Sequence, residues 1–199
     1  MFWSQVIHIG DLPLTMAAAA ALAVWMLLAG AWRMAFWWCL LFALAISLVA
    51  ASKIAFLVWG GAPPRFNFRA LSGHAAGATA IAVMLLHVLL RARTRSERHA
   101  GIGAGLLAGA MMGILLVLHD EHSIAEATAG WAVGALAGAG AIRLGGESPS
   151  SASPTALACA SVVFVSCLVL LRPLPIGYLM WRAAKLVARH ASALAMAGF

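Results

Sequence analysis

The sequence predicts an all-α protein, a polytopic transmembrane bundle of about six helical spans. Three observations carry that expectation. The 199 residues are 64% hydrophobic and only 10% charged, whereas a soluble globular domain is ~45–50% apolar and ~25% charged. A soluble chain of this length could not hide so much apolar surface from water. The apolar residues fall in runs close to the ~20 that a helix needs to cross the hydrocarbon core, and none alternate over ten residues as the strands of a membrane barrel do. The length suits one membrane domain covering residues 1–199.

The N-terminal MFWSQVIHIGDLP lacks the basic start of a cleaved signal peptide, so the first apolar run is expected to remain as an anchor. The expected spans are Leu14–Ala31, Phe36–Trp59 (interrupted by Lys53), Ser72–Leu90, Gly101–Leu118, Ser123–Ile142 and Ala156–Leu171. Helix-breaking GGAPPRFNFRAL joins the second and third, and polar, basic RARTRSERHA joins the third and fourth. A very short HDEH turn joins the fourth and fifth, and a Ser/Pro/Gly linker, RLGGESPSSASPT, joins the fifth and sixth.

The net charge of +7 does not point to nucleic acid. Its main clusters, Arg91, Arg93, Arg95 and Arg98 and then Arg182, Lys185 and Arg189, stand where basic residues flank membrane spans, and the expected partners are membrane lipids. The positive-inside rule puts the loop at 91–98 in the cytoplasm. Counting spans then puts the linker after Arg143 on the same side, and loop 60–71 with the HDEH turn on the opposite face. The basic tail, about 176–199, is expected to be an amphipathic surface helix rather than a seventh span, although its cations fall on the wrong side for this orientation. Dense small residues, as in GHAAGATA and GWAVGALAGAGA, serve close helix packing in lipid. Cys39, Cys159 and Cys167 show no zinc-type spacing and are expected to be buried and inert.

Ionisable residues in or at the ends of spans are costly and therefore functional candidates. Lys53 lies about two turns before the end of the second span. It fits both a snorkelling lysine and a phosphate ligand. Ser72-Gly73-His74 opens the third span, where free backbone N–H groups and the helix dipole favour an anion. Ser72 can cap the helix or donate to a phosphate oxygen, Gly73 allows close backbone approach, and His74 can give a proton to a leaving oxygen. His122 and Glu126 stand at i and i+4 on one helix face. A carboxylate there fixes the tautomer of the imidazole and leaves the other nitrogen to attack.

Together these residues resemble the type 2 phosphatidic acid phosphatase family, whose site is shared with the vanadium haloperoxidases and whose motifs are K-x6-RP, PSGH and SR-x5-H-x3-D. Lys53-x6-Gly60 is similar to the first and Leu71-Ser72-Gly73-His74 to the second. His122-x3-Glu126, followed by Ala129-Gly130, is similar to the third, with glutamate for aspartate. The resemblance covers a core of about residues 50–143. It implies His122 as the nucleophile forming a phosphohistidine, Glu126 orienting it, and His74 protonating the leaving group. It also implies that Lys53, Ser72 and the Gly73 amide hold phosphate oxygens, with no metal or other cofactor. Gly60 and Leu116 stand where that family has arginines, and Leu115 where it has the serine. Arg65 and Arg69 are the expected substitutes. His119, Asp120 and Glu121 crowd the nucleophile, and acidic charge there opposes a highly charged diphosphate unless it is offset.

The expected activity is hydrolysis of a lipid phosphate or diphosphate. Polyprenyl (undecaprenyl) diphosphate, phosphatidic acid and phosphatidylglycerol phosphate all suit. The expected site is in a bacterial inner membrane, facing the periplasm. A lipid phosphotransferase of the same fold and a non-catalytic lipid-binding or transport protein remain as alternatives.

Overall fold

The structure, a computed structural model, describes residues 8–60, 68–90, 93–146 and 153–196. A 3-10 turn (His8–Gly10) leads into seven α-helices: α1 (Leu12–Leu28), α2 (Trp32–Trp59), α3 (Gly73–Leu89), α4 (Arg95–Leu118), α5 (Ile124–Gly145), α6 (Pro154–Leu171) and α7 (Ile176–Met196). The all-α expectation holds, with no strand among the described residues. Each apolar run of the sequence becomes one helix. α4 starts six residues before the expected Gly101, because Thr94 and Glu97 form a capping box that carries the helix into the basic segment. There the Thr94 hydroxyl accepts from the Glu97 amide (3.3 Å) and the Glu97 carboxylate accepts from the Thr94 amide (2.9 Å).

Among the described residues three helices are long and apolar enough to cross a membrane: α2, α4 and α6, with mean hydropathies of 2.3, 2.2 and 2.3. α1 and α3 are apolar but have 17 residues each, or ~25 Å at the α-helical rise. α3 sits centrally, packed on α4, α5 and α1, while α5 also lies along α2, and α6 covers α1. Trp38, fully buried, joins α2 to α1 by donating its indole N–H to the Ala19 carbonyl (3.0 Å). Around it Met26, Met34 and Met84 fill the irregular space between helices.

Large apolar side chains also face outwards, Leu40, Leu44 and Leu48 on α2 and Val162, Val165 and Val169 on α6. Apolar surface on both sides of a helix is the pattern of a membrane protein. This inverts the expectation for the cysteines. Cys39 and Cys159 are exposed and Cys167 is half-buried, on outward faces of α2 and α6, because an apolar run in lipid need not point its small residues inwards.

The glycines set how closely α5 approaches α3. A Cβ at Gly130 would run into the Ser72 carbonyl, and one at Gly134 into the Ala76 carbonyl. Their absence lets two backbones touch, as small residues do in membrane bundles, and brings the start of α5 against the start of α3. The tail forms α7, strongly amphipathic and lying along α2. Its Tyr178 and Trp181 rings stack, and Lys185 Nζ lies 3.5 Å from the centre of the Trp181 ring.

Gly134→Val is therefore expected to cost about 1–3 kcal/mol through overpacking, read as a lower Tm in detergent. Gly103→Ala on α4, with nothing within 4 Å of the new Cβ, should leave Tm unchanged or slightly raised, since alanine gains up to ~1 kcal/mol in a helix.

Candidate active site

The C-terminal end of α2, the N-terminal ends of α1, α3 and α5, and the C-terminal end of α4 meet at one end of the bundle. The geometry there is organised by α5. Ser123 caps that helix, its hydroxyl accepting from the Glu126 amide (3.3 Å), while Glu126 Oε2 accepts from the Ser123 amide (3.1 Å). The same Oε2 lies 2.9 Å from His122 Nδ1. A carboxylate oxygen can only accept, so Nδ1 carries the hydrogen and Nε2 bears the free lone pair.

The carboxylate does more than orient His122. Its Oε1 accepts from the backbone amides of Arg69 (2.6 Å) and Ala70 (3.4 Å), and the Glu126 carbonyl accepts from the Ser72 amide (3.2 Å). Glu126 is buried, and this set of N–H donors suits an ionised carboxylate. It fastens the segment before α3 to the start of α5. On the other side the Ser52 hydroxyl accepts from the Leu71 amide (3.0 Å) and donates to the Val49 carbonyl (2.7 Å). The segment is thus tied to α2 one residue before Lys53. Neither tie was legible in the sequence, because both use backbone donors far along the chain.

These ties bring six predicted residues, Lys53, Arg69, Gly73, His74, His122 and Glu126, to the same end of the bundle. The His74 and His122 rings lie 6.4 Å apart, centre to centre, within reach of a single phosphoryl group between them. Lys53, Gly73 and His74 line a small cavity of about 100 Å³, which Ile176 and Met180 of α7 also line. His122 and Glu126 line a wider, open cleft of about 610 Å³ together with Arg69, Asp120 and Glu121.

Ser72 is fully buried and caps α3, its hydroxyl accepting from the Ala75 amide (3.3 Å). Arg69 is exposed at the rim. Arg65 lies outside the described residues. Leu116, where the resembled pattern has an arginine, is fully buried with Ala75 and Met112. Its carbonyl accepts from the amides of Glu121 (3.0 Å) and His122 (3.3 Å), closing the turn that ends in His122. Asp120 takes the left-handed conformation in that turn (φ 58°), which aspartate tolerates better than most residues.

One further residue, Asp11, carried no signal in the sequence. Asp11 stands at the N-cap of α1 but makes no side-chain cap bond. Its Oδ1 lies 2.9 Å from His74 Nε2 and its Oδ2 3.0 Å from His8 Nδ1. An aspartate before an apolar run commonly caps the helix, and nothing local in the sequence signals a partner 63 residues on.

The chain is similar to an uncharacterized 22.5 kDa protein in a cps region of Klebsiella pneumoniae, 31% identical over 136 residues. The match covers 68% of this chain and 65% of that protein, so the chain spans less than two thirds of its relative. No family model matches the chain, and no solved structure matches it.

Because Glu126 fastens two elements, Glu126→Ala should destabilise the fold by more than ~2 kcal/mol, the cost of leaving several buried donors unpaired. Amide exchange at Arg69 and Ala70 should accelerate with it. His122→Ala, which removes only one partner of that carboxylate, should cost less than half as much, measured by thermal unfolding in detergent.

Proposed function

We propose that this protein is an integral membrane phosphatase that hydrolyses a lipid phosphate or diphosphate through a phosphohistidine on His122. The observation that carries this reading is the pairing of His122 Nδ1 with a buried carboxylate, with a second imidazole 6.4 Å away. In this reading α1–α6 are six spans. The arginines around α4's start lie in the cytoplasm and the site end lies on the opposite, periplasmic face of a bacterial inner membrane. The bacterial origin of the relative supports that setting. α7 rests on the outer surface as an amphipathic helix.

The geometry supports the following chemistry. His122 Nε2 attacks phosphorus, a P–N bond forms, and the P–O bond to the lipid breaks as His74 gives its proton to the leaving oxygen. Water then attacks the phosphohistidine, its proton passes to His74, and the P–N bond breaks to release phosphate. Lys53, Arg69 and the Gly73 amide stabilise the phosphoryl oxygens, which is where most of the barrier reduction in phosphoryl transfer arises.

A lipid rather than a soluble substrate is favoured by an apolar groove of about 450 Å³ between α4 and α5, lined by Gly113, Ile114, Ala127 and Trp131. It shares Val117 and Ile124 with the polar cleft at His122. A headgroup in the cleft would leave its hydrocarbon chain in the groove, with Trp131, hydrogen-bonded to the Leu106 carbonyl (2.9 Å), at the deep end.

Phosphate release from a panel of lipid phosphates and diphosphates tests the reading. Wild type should release phosphate and His122→Ala should lose at least ~10³-fold of it. No release by a folded wild type would turn the reading to phosphotransfer, checked by adding an acceptor lipid, or to lipid binding alone. Gly113→Phe, which fills the groove, should raise KM about tenfold or more for a long-chain substrate, through lost methylene burial, and leave a short-chain phosphate unaffected.

A further inference from the structure

We propose that Asp11 is a positioning residue for His74, the second member of a paired carboxylate–imidazole design. This inference rests on the phosphatase reading and deepens it. Asp11 occupies the N-cap of α1, where a carboxylate would ordinarily accept from the first free amides of the helix. It makes no such bond, and both of its oxygens are spent on imidazoles, Oδ1 on His74 and Oδ2 on His8. The turn before it is fitted to the same ring. Gly10 is buried, and a Cβ there would come within 2.8 Å of His74 Cβ and 3.0 Å of Cδ2. Only glycine lets the backbone close on that edge of the imidazole.

The consequence is a fixed division of labour between the two nitrogens. A carboxylate accepts, so Nε2 of His74 carries a hydrogen towards Asp11, and Nδ1, on the other edge of the ring, is left for the substrate. The groups around that ring are Asp11 and His8 from the N-terminal segment, Lys53 from α2 and His122 from α5. In the first step the imidazolium gives its Nδ1 proton to the leaving oxygen and becomes the neutral Nε2–H tautomer, still held by Asp11. In the second step Nδ1 recovers a proton from the attacking water. Asp11 itself neither gains nor loses a proton. Its role is to keep one tautomer, the same logic by which a buried carboxylate serves a hydrolase triad.

The test uses the full chain in detergent, with phosphatidic acid, whose alkoxide leaving group needs a proton, and p-nitrophenyl phosphate, whose leaving group does not. Asp11→Asn should lower kcat on phosphatidic acid at least ~10-fold and on the aryl phosphate several-fold less. Asp11→Glu should recover part of the loss, and Asp11→Asn in a His74→Ala background should add nothing. Equal losses on both substrates, or effects that multiply, would overturn the proposal. Histidine ¹⁵N spectra give a readout independent of turnover: His74 should be the Nε2–H tautomer in wild type and a mixture in Asp11→Asn. An unchanged tautomer would refute the role of Asp11 alone. Absence of turnover in wild type on both substrates would instead remove the phosphatase reading, and proton delivery with it.

Discussion

A carboxylate buried at the start of α5 has to find donors or cost several kcal/mol. Glu126 finds them in three directions: the imidazole of His122, the amide of Ser123, and the amides of Arg69 and Ala70. Its demand for partners determines the rest of the site. The segment 69–72 is drawn across to α5, so that Ser72 can cap α3 beside it, and His74, two residues later, emerges opposite His122. Removing the carboxylate would therefore not merely free one imidazole. It would release the segment that places the other one.

That arrangement depends in turn on how near α3 and α5 can come. Backbone-to-backbone contact at Gly130 and Gly134 leaves no room for any side chain, and the first of these lies one turn after Glu126. The site and the packing of the bundle are thus the same contact viewed at two depths. Polar bonds define it at the end of the helices, and glycine against carbonyl defines it in the interior, where lipid supplies no hydrophobic force to press helices together.

The parts that the sequence made legible are those with short range. Six apolar runs became six helices because a run of that length has few other ways to satisfy its backbone. His122 and Glu126 were legible as a pair because i and i+4 share a face. What was hidden works across the fold. The backbone donors at Arg69 and Ala70 carry no side-chain signature, and the partner of Asp11 lies 63 residues away, beyond any local pattern. Ser72 was legible as a cap and is one. The cysteines were misread because burial rules written for water do not hold in lipid. Leu116 explains why one family-like arginine has no vacant place in this chain. The side chain at that position is buried against Ala75 and Met112, so a guanidinium there would enter an apolar cluster. In the proposed phosphatase, charge for the phosphate would come instead from Lys53 on one side and from Arg69 at the rim.

The two carboxylate–imidazole pairs differ in exposure, and the difference suits different work. In the His122–Glu126 pair the side chains are 16% and 5% exposed, and in the His74–Asp11 pair 29% and 41%. A nucleophile gains from being held still with its lone pair aimed, which a buried carboxylate with four donors achieves. A group that gives a proton in one step and takes one back from water in the next has to stay in exchange with water. A half-open pair at the bundle end permits that without loosening the ring. In the proposed mechanism, burying both pairs would cut His74 off from the water it exchanges protons with. Opening both would cost the proposed nucleophile, His122, its fixed direction. The unequal burial of two chemically similar pairs is therefore itself a reason to assign attack to His122 and proton transfer to His74.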